Sequence, residues 1–344
     1  MLRAVATTSS TLRRRFLLRP ATARRTFRHL AQRLPPARCA RLPLLAVGLA
    51  GTMLLAAPAR NDGALRVFDD EYDLVYSREL GSGAFGMVMQ CIHKIDQKLS
   101  AVKVIADCYE EANRERTALG CVEMAGGHEN IVALNDHYTH DGFTYIVVEF
   151  VDGITLFDFV QQRRRLEEEV TRCILKQVAS ALQFMHDHGM VHCDLKPDNI
   201  MVRSDESAVA HVKIIDFGSA TIPNPRTSSM PLKRAITLSS IPQSGTKSYW
   251  SPEMLSETHA TVQPAMDMWS LGCILYIMLS GSHPFDPRGV LSEAEILHNV
   301  RHAPVEFSAP VWDSVSDELK VVLRGLLDKD PATRLSATAL LAAL

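Results

Sequence analysis

Residues 191–201 read VHCDLKPDNIM, a run whose apolar ends enclose a dense polar centre. His192, Asp194, Lys196, Asp198 and Asn199 fall within eight consecutive positions. Because Pro and Asp disfavour helix, we expect these side chains to lie on a loop that is held between two apolar anchors. A chain that concentrates an acid, a cation and an amide on one loop is equipped for chemistry there.

The polar residues of this run, with one acid that follows it, suit complementary chemical tasks. Asp194 can accept a proton from a hydroxyl, Lys196 can neutralise a transferring phosphoryl group, and Asn199 offers a neutral oxygen ligand to a hard cation. Asp216 follows in HVKIIDFG, at the end of a β-branched strand. An Asn and an Asp that converge on Mg²⁺ suit a reaction whose catalysis is mostly positioning and charge neutralisation.

The loop follows a segment with helical periodicity. In TRCILKQVASALQFMHDHGM the apolar side chains recur at helical spacing and predict a buried stripe. Its members are Ile174, Val178, Leu182 and Met185.

A glycine-rich stretch near the start of the domain predicts a phosphate cradle. GSGAFGMV begins at Gly81, and glycines let the backbone approach phosphates closely. The pattern alone is weak, because dinucleotide-binding folds use it and loops contain it by chance. Here MVMQCIHK continues as a strand, whereas a dinucleotide fold would enter a helix.

Lys103 lies within the apolar strand SAVKVIA, where an unpaired ammonium would be costly, so it needs an anion. The helical segment EEANRERTALGCVEM supplies Glu115 as its expected carboxylate partner, with Glu111 as the alternative. A surface acid on a charged helix is the alternative interpretation of Glu115.

Composition separates the chain into two unlike parts. Residues 1–61 hold twelve Arg and neither Lys nor acid, while all 39 acidic residues lie beyond them. The hydrophobic content of 47% indicates a globular protein with a core. The acidic body disfavours non-specific nucleic-acid binding, so we expect no nucleic-acid partner. Without C-x-x-C pairs, a zinc site or disulfide framework is not expected.

The first 41 residues have the Arg-rich, acid-free composition of a mitochondrial transit peptide. A disordered basic tail that binds acidic surfaces is the alternative. Residues 42–59, LPLLAVGLAGTMLLAAPA, carry no charge and as a helix would rise ~27 Å, close to the ~30 Å of bilayer hydrocarbon. We expect a single-pass membrane anchor there; a processing site at AAPA, a core helix and a secretory signal are alternatives. Residues 60–69 are expected to be a linker.

From about residue 70 to residue 344 the chain resembles the eukaryotic protein kinase family. The glycine loop, AVK, HCDLKPDN, DFG and SPE occur in the family's order and spacing. DLKPDN and GTKSYWSPE resemble the serine/threonine type, and the calcium/calmodulin-dependent kinase group is the nearest likeness within it. The resemblance implies an α+β, two-lobed kinase fold, with a small β-rich N-lobe at about residues 70–150, a larger helical C-lobe at about 151–344, and ATP between them.

The resemblance also assigns roles to individual residues. It implies that Asp194 is the catalytic base, assisted by Lys196, and that Asn199 and Asp216 hold Mg²⁺. His192, Phe217, Leu119 and Leu134 match the family's hydrophobic spine, and Arg334 matches the partner of Glu253. The residues expected to contact ATP are Leu80, Gly81, Ser82, Gly83, Ala84, Phe85, Gly86, Val88, Ala101, Lys103, Glu115, Glu149 and Val151, with Val148 beside the adenine pocket.

Three features of the sequence depart from the family pattern. Cys193 replaces the usual Arg before the catalytic Asp, and a thiol cannot grip a phosphate on the activation segment. A redox switch and a packed, unreactive thiol are both compatible with the sequence. Ser251 replaces the common Ala of APE. The span from Asp216 to Glu253 is 38 residues long and contains a Ser/Thr/Pro-rich insert, residues 221–244, that is either a mobile loop or a phosphorylated or substrate-blocking one.

The expected function is transfer of the ATP γ-phosphoryl group to Ser or Thr hydroxyls of proteins. A pseudokinase scaffold is opposed by the presence of Lys103, Asp194, Asn199 and Asp216, and a small-molecule kinase by Glu253 and Arg334. Asp198 would attract a basic residue in the substrate, whereas Thr155 stands where basophilic relatives carry an acid. The expected location is mitochondrial and anchored in the inner membrane, with another membrane as the alternative; oligomeric state is not encoded.

Overall fold

The structure is a computed structural model that describes residues 66–82, 86–107, 109–203, 210–222, 247–255 and 261–344. The chain divides into two compact units. The first contains the described residues up to Ala112 together with residues 134–150, and the second contains residues 113–133 and 151–344. The expected targeting segment, the candidate anchor 42–59, and Gly83, Ala84 and Phe85 of the glycine loop lie outside the described residues.

The first unit is built on a five-stranded antiparallel sheet whose strand order is β1-β2-β3-β5-β4. The strands MVMQCIHK and SAVKVIA were expected from the sequence, and both are confirmed. The elements of this part of the chain are α1 (Phe68–Glu71), β1 (Tyr72–Ser82), β2 (Gly86–His93), β3 (Leu99–Ala106), α2 (Glu110–Met124), β4 (Leu134–His140) and β5 (Phe143–Glu149); α2 begins in the first unit and continues into the second.

Alternation along β3 divides its side chains between the two faces of the sheet. Val102 and Val104 join an aromatic-rich core, so Lys103 between them faces the opposite side. In the register of the sheet Lys103 lies opposite Val88 on β2 and Ile146 on β5. Residues paired across an antiparallel ladder share a face, so the expected nucleotide contacts Val88 and Lys103 lie on one surface.

Phe68 fastens the segment before β1 to the core of this unit. Its side chain is fully buried, and its ring stacks on Tyr145 at 5.1 Å and on Tyr72 at 5.4 Å between centroids. Arg66 places its guanidinium between Glu71 and Asp136, with hydrogen bonds of 2.6–3.0 Å to both carboxylates. Residues 66–69, within the segment expected to be a linker, therefore pack as part of the folded unit.

The second unit is mostly helical and contains one small antiparallel sheet of order β6-β7-β8. Among its described residues it also contains the remainder of α2 and the 3₁₀ turns Pro197–Asn199, Lys247–Tyr249 and Pro310–Ser314. The helices and strands that follow residue 150 are β6 (Gly153–Thr155), α3 (Leu156–Arg163), α4 (Glu168–Asp187), β7 (Ile200–Arg203), β8 (Val212–Ile214), α5 (Pro252–Leu255), α6 (Ala265–Ser280), α7 (Glu293–His302), α8 (Asp317–Leu326) and α9 (Ala337–Ala343).

Helices α4 and α6 form the centre of this unit. The predicted stripe on α4 is confirmed, since all four of its members, Ile174, Val178, Leu182 and Met185, are fully buried. Helix α6 is buried around almost its whole circumference, as a helix that is apolar on all sides requires. Gly281 follows its last residue with a φ of 75°, and a Cβ there would lie 2.1 Å from the carbonyl oxygen of Arg164, so only glycine fits.

No helix in the parts of the chain that the structure describes is long and apolar enough to cross a membrane. Because residues 42–59 lie outside those parts, the expected anchor stays a prediction.

Candidate active site

The polar run of residues 191–201 forms a loop whose apolar ends are buried. Residues 192–196 have irregular backbone, residues 197–199 form a 3₁₀ turn, and β7 begins at Ile200. Val191, Leu195 and Ile200 are each at most 5% exposed and hold the loop to the core of the second unit. The expected loop between apolar anchors is confirmed, with one tight turn added at its end.

Three of the expected site residues meet on this loop. The ammonium of Lys196 lies 2.6 Å from Oδ2 of Asp194, and the side-chain amide of Asn199 donates to the backbone carbonyl of Asp194 at 2.8 Å. The side chains of Asp194 and Lys196 are 23% and 19% exposed, so both are reachable from solvent. Asn199 is buried and orients the residue that carries the carboxylate.

Asp267, on the buried helix α6, holds the backbone of this loop. Its carboxylate accepts the N–H groups of His192 at 2.8 Å and Cys193 at 2.9 Å, and Nε2 of His186 lies 2.9 Å away. Burial opposes the ionisation of Asp267, but the hydrogen bond and charge of His186 and the contacts of His192 lower its pKa overall. The sequence carried a signal for this role, an acid within the apolar run AMDMWSLGCILYIMLS.

The hydrogen bonds to Asp267 accompany an unusual backbone at the loop. Cys193 has a φ of 65°, a left-handed conformation that non-glycine residues rarely adopt. The bond from its N–H to a buried carboxylate is of the charge-assisted kind, which is stronger than a neutral one. That bond helps to hold the strained residue in place next to Asp194.

The two expected metal ligands flank a pair of hydrogen-bonded strands. Asn199 directly precedes β7, Asp216 lies two residues beyond the end of β8, and the N–H of Ile215 donates to the carbonyl of Asn199 at 2.8 Å. The antiparallel pairing of β7 and β8 therefore brings both residues to the same end of the sheet.

The donor set fits a magnesium ion. Asn199 turns its NH₂ group to Asp194, so its amide oxygen is the atom that remains to meet a cation. Together with the carboxylate of Asp216 this gives hard oxygen ligands, which Mg²⁺ prefers, usually from one or two side chains plus phosphates and water. Among the described residues no group of three or more His, Cys, Asp or Glu side chains forms a dedicated metal cage.

The remaining expected nucleotide contacts lie mainly in the first unit. Ala101 pairs with Val148 across β3 and β5, on the same face as Lys103. Glu149 ends β5, and Leu80 and Gly81 are exposed near the end of β1. In the second unit Glu115 is only 4% exposed, which is incompatible with the surface-acid interpretation. Its pairing with Lys103 stays a prediction.

Part of the expected hydrophobic spine and the expected pair of Arg334 and Glu253 are also in place. The rings of His192 and Phe217 pack with centroids 5.2 Å apart, and Leu119 is 1% exposed. The predicted pair of Arg334 and Glu253 is confirmed, with hydrogen bonds of 2.6 and 2.9 Å from the two terminal guanidinium nitrogens.

Cys193 lies in an apolar cluster with Val191, Trp250, Met254 and Met266. It is 5% exposed, and burial raises the pKa of its thiol well above the ordinary value. A reactive cysteine needs a depressed pKa and access to solvent, and Cys193 has neither. The structure therefore favours the packed thiol over the redox switch.

Thr155 is a helix N-cap, a role that the sequence analysis did not predict. Its hydroxyl accepts the N–H of Asp158 at 3.1 Å and caps α3. Asp198 is exposed on the 3₁₀ turn next to Asn199.

Comparison with known proteins agrees with this geometry. The sequence matches the protein kinase domain family over residues 74–343. It is 37% identical over 286 residues to the serine/threonine-protein kinase PKZ1 of Phytophthora infestans, covering 76% of this chain and 68% of that kinase. Two further relatives are the putative ribosomal protein S6 kinase alpha-2 of Caenorhabditis elegans, 35% identical over 75% of this chain and 33% of that protein, and the human ribosomal protein S6 kinase alpha-4, 34% identical over 78% and 34%.

These relatives do not test the expected likeness to the calcium/calmodulin-dependent kinase group, which stays a prediction. Protein kinases as a family use ATP and Mg²⁺ and act on proteins. The expected α+β kinase fold is confirmed by the match, by the antiparallel sheet in the N-terminal part and by the helices that follow. The chain belongs to the eukaryotic protein kinase family and is a kinase of the serine/threonine type.

Proposed function

We propose that this protein transfers the γ-phosphoryl group of ATP to Ser and Thr hydroxyls of protein substrates, with Asp194 as the catalytic base. The observation that carries the proposal is the meeting of Asp194, Lys196 and Asn199 on a loop that Asp267 holds by its backbone. Asp194 is partly exposed, so a substrate hydroxyl can reach its carboxylate. As the hydroxyl oxygen bonds to the γ-phosphorus and the bond to the leaving ADP oxygen breaks, the proton of the hydroxyl passes to Asp194.

Lys196 has two roles in this scheme. Its ammonium donates to Oδ2 of Asp194 at 2.6 Å and so holds in place the carboxylate that takes the proton of the substrate hydroxyl. Its positive charge also stabilises the negative charge that spreads over the transferring oxygens. A cation 2.6 Å from the base is therefore part of the site rather than a solvated surface lysine.

Asn199 and Asp216 would hold magnesium, which when bound supplies charge neutralisation on the phosphate oxygens. Lys103 would contact the α- and β-phosphates from the face of the sheet that it shares with Val88 and Ala101. Glu149 and Val151 would offer backbone groups to adenine, and Glu115 would pair with Lys103. These assignments rest on the family resemblance together with the positions described above.

The test is transfer of labelled γ-phosphate from ATP by the full chain, with Mg²⁺, to casein, to myelin basic protein and to itself. In Asp194→Asn we expect transfer to fall by about 10²–10⁴-fold, the usual contribution of general base catalysis, while stabilisation by ATP in thermal unfolding is retained. Asp313→Asn makes the same chemical change at an exposed residue of the 3₁₀ turn Pro310–Ser314 and should leave transfer unchanged.

Two outcomes would overturn the proposal. Transfer that survives in Asp194→Asn would show that another group is the base. ATP binding by the wild type without transfer to any substrate would favour the pseudokinase scaffold.

We also propose that the protein is imported into mitochondria by residues 1–41. The support is compositional, namely the many Arg residues and the absence of Lys and acid. A fluorescent fusion of the full chain should locate to mitochondria, and a fusion that lacks residues 1–41 should not. Carbonate extraction and protease protection of the imported protein would then test the anchor at 42–59 and the side of the membrane that the kinase domain faces.

A further inference from the structure

A short segment follows the Ser/Thr/Pro-rich insert, and two of its consecutive backbone carbonyls accept hydrogen bonds from side chains further along the chain. This segment, residues 247–250, is called the exit segment below. The carbonyl oxygen of Ser248 lies 3.0 Å from Nε2 of His283, and the carbonyl oxygen of Tyr249 accepts the hydroxyl of Ser270 at 2.9 Å. Ser270 belongs to helix α6, and His283 follows shortly after that helix ends. Two side chains, one on helix α6 and one just after its end, thus fix the path of the exit segment.

The contacts of His283 define its protonation state. Nδ1 accepts the N–H of Phe285 at 3.2 Å, so Nε2 must carry the proton that is donated to Ser248. Burial lowers the pKa of His283 to about 4, only partly offset by the Ser248 carbonyl and the charge of Asp286. The ring is therefore a neutral donor of fixed tautomer near neutral pH, and the edge-to-face packing of Tyr249 at 5.9 Å keeps it oriented.

The exit segment lies beside the catalytic loop. Trp250 packs in the same apolar cluster as Val191 and Cys193, immediately before Asp194. Burial raises the pKa of Tyr249, and the negative charge of Asp198 adds to that rise, so Tyr249 lies within electrostatic reach of the turn after Lys196. The exit segment therefore borders the catalytic loop at the residues that precede Asp194.

We propose that His283 is a positioning residue for the protein substrate, acting through its hydrogen bond to Ser248. A substrate hydroxyl can reach Asp194 only if the chain beside the catalytic loop leaves it a defined path, and the exit segment forms part of that border. His283 fixes the segment without touching ATP or the transferred group. This inference rests on the proposed function, because it needs a substrate hydroxyl at Asp194.

A pair of substitutions separates the two hydrogen bonds of His283. In His283→Gln the side-chain amide can reach the place of Nε2 and donate to Ser248, whereas the bond to Phe285 is lost. In His283→Asn the side-chain oxygen can accept from Phe285, but the amide is too short to reach Ser248. We expect the KM for the better of the two substrates, casein or myelin basic protein, to rise about three- to tenfold in His283→Asn and to stay near the wild-type value in His283→Gln. The KM for ATP and kcat should change less than twofold in both.

Ser270→Ala removes the neighbouring hydrogen bond to Tyr249 and should raise the substrate KM in the same direction. Thermal unfolding of each variant shows whether it is folded. Equal substrate KM values in His283→Asn and His283→Gln, or a fall in kcat with an unchanged KM, would overturn the proposal. Wild-type transfer is measured first: if it is absent, the proposed function fails and the positioning role with it, whereas if it is present the variants test His283 alone.

Discussion

Arg334 grips Glu253 through both ends of its guanidinium, with Nη1 2.6 Å from Oε1 and Nη2 2.9 Å from Oε2. The side chain of Arg334 is completely buried and that of Glu253 is 11% exposed. Nη1 also donates to the carbonyl of Ala265, at the start of α6, at 2.7 Å. The pair thereby ties helix α5, the start of α6 and the loop before α9 together.

Breaking this pair is expected to destabilise the protein strongly. Glu253→Gln leaves a buried guanidinium without a counter-charge, a loss of about 3–5 kcal/mol in the free energy of unfolding. Arg334→Lys should lose a comparable amount, because an ammonium cannot reproduce the two parallel hydrogen bonds. Urea unfolding followed by tryptophan fluorescence measures both. A loss below about 1 kcal/mol would place the pair with weak surface ion pairs.

Phe68 is expected to be required for the stability of the first unit. Phe68→Ala removes a fully buried ring from between Tyr72 and Tyr145 and should lower the free energy of unfolding by about 3–5 kcal/mol. Ile95→Ala is the control, since Ile95 is 87% exposed and should change that free energy by less than about 0.5 kcal/mol. Similar effects of the two substitutions would show that residues 66–71 are not part of the folded unit.

Cys193 is expected to be chemically inert in the folded protein. Its burial and raised pKa disfavour the thiolate, the form that reacts with alkylating agents and oxidants. Iodoacetamide at neutral pH, read out by mass spectrometry, should modify Cys193 only after denaturation and should modify the partly exposed Cys121 faster. Rapid labelling of native Cys193, or a loss of activity on mild oxidation that a reductant reverses, would restore the redox-switch hypothesis.

The buried hydroxyl of Ser251 is expected to lower the stability of the protein, so that alanine at this position should be stabilising. Its hydroxyl is fully buried and has no hydrogen-bond partner among the residues that the structure describes. Because an unsatisfied buried hydroxyl costs about 1–3 kcal/mol, Ser251→Ala should raise the free energy of unfolding by about 1 kcal/mol. Thermal and urea unfolding of the variant would show the gain; a loss of stability would mean that the hydroxyl is satisfied in solution.

His283 should make the stability of the protein depend on pH between about 4 and 6.5. Burial lowers its pKa to about 4, whereas the unfolded chain keeps the ordinary value of 6.5, so the unfolded state binds the proton first as pH falls. Its contribution is present above pH 6.5 and is lost progressively down to pH 4, by up to about 3 kcal/mol. His283→Asn lacks this group, so the difference in unfolding free energy between wild type and variant should shrink with falling pH. A difference that stays constant from pH 7 to pH 4.5 would contradict the assignment.

The sequence by itself determined the kinase family and the local elements that carry its motifs. The apolar stripe of α4, the strands on either side of the glycine loop and the loop of Asp194 all follow from short-range periodicity and from residues that break helices. The pairing of Arg334 with Glu253 could also be expected, because the family pattern fixes both positions.

Outside the pairs that the family pattern fixes, the tertiary structure alone decided which distant groups meet. Asp267 binds the backbone of His192 and Cys193 from a helix some 75 positions further along the chain, and His283 reaches Ser248 from 35 positions further along. Phe68 is buried although it precedes the recognisable domain. Periodicity reports which face of an element is apolar, but a single buried polar contact depends on how elements pack, and packing is not a local property of the sequence. The environment of Cys193 was undecided for the same reason, since its burial comes from Trp250, Met254 and Met266, all of which lie beyond the insert.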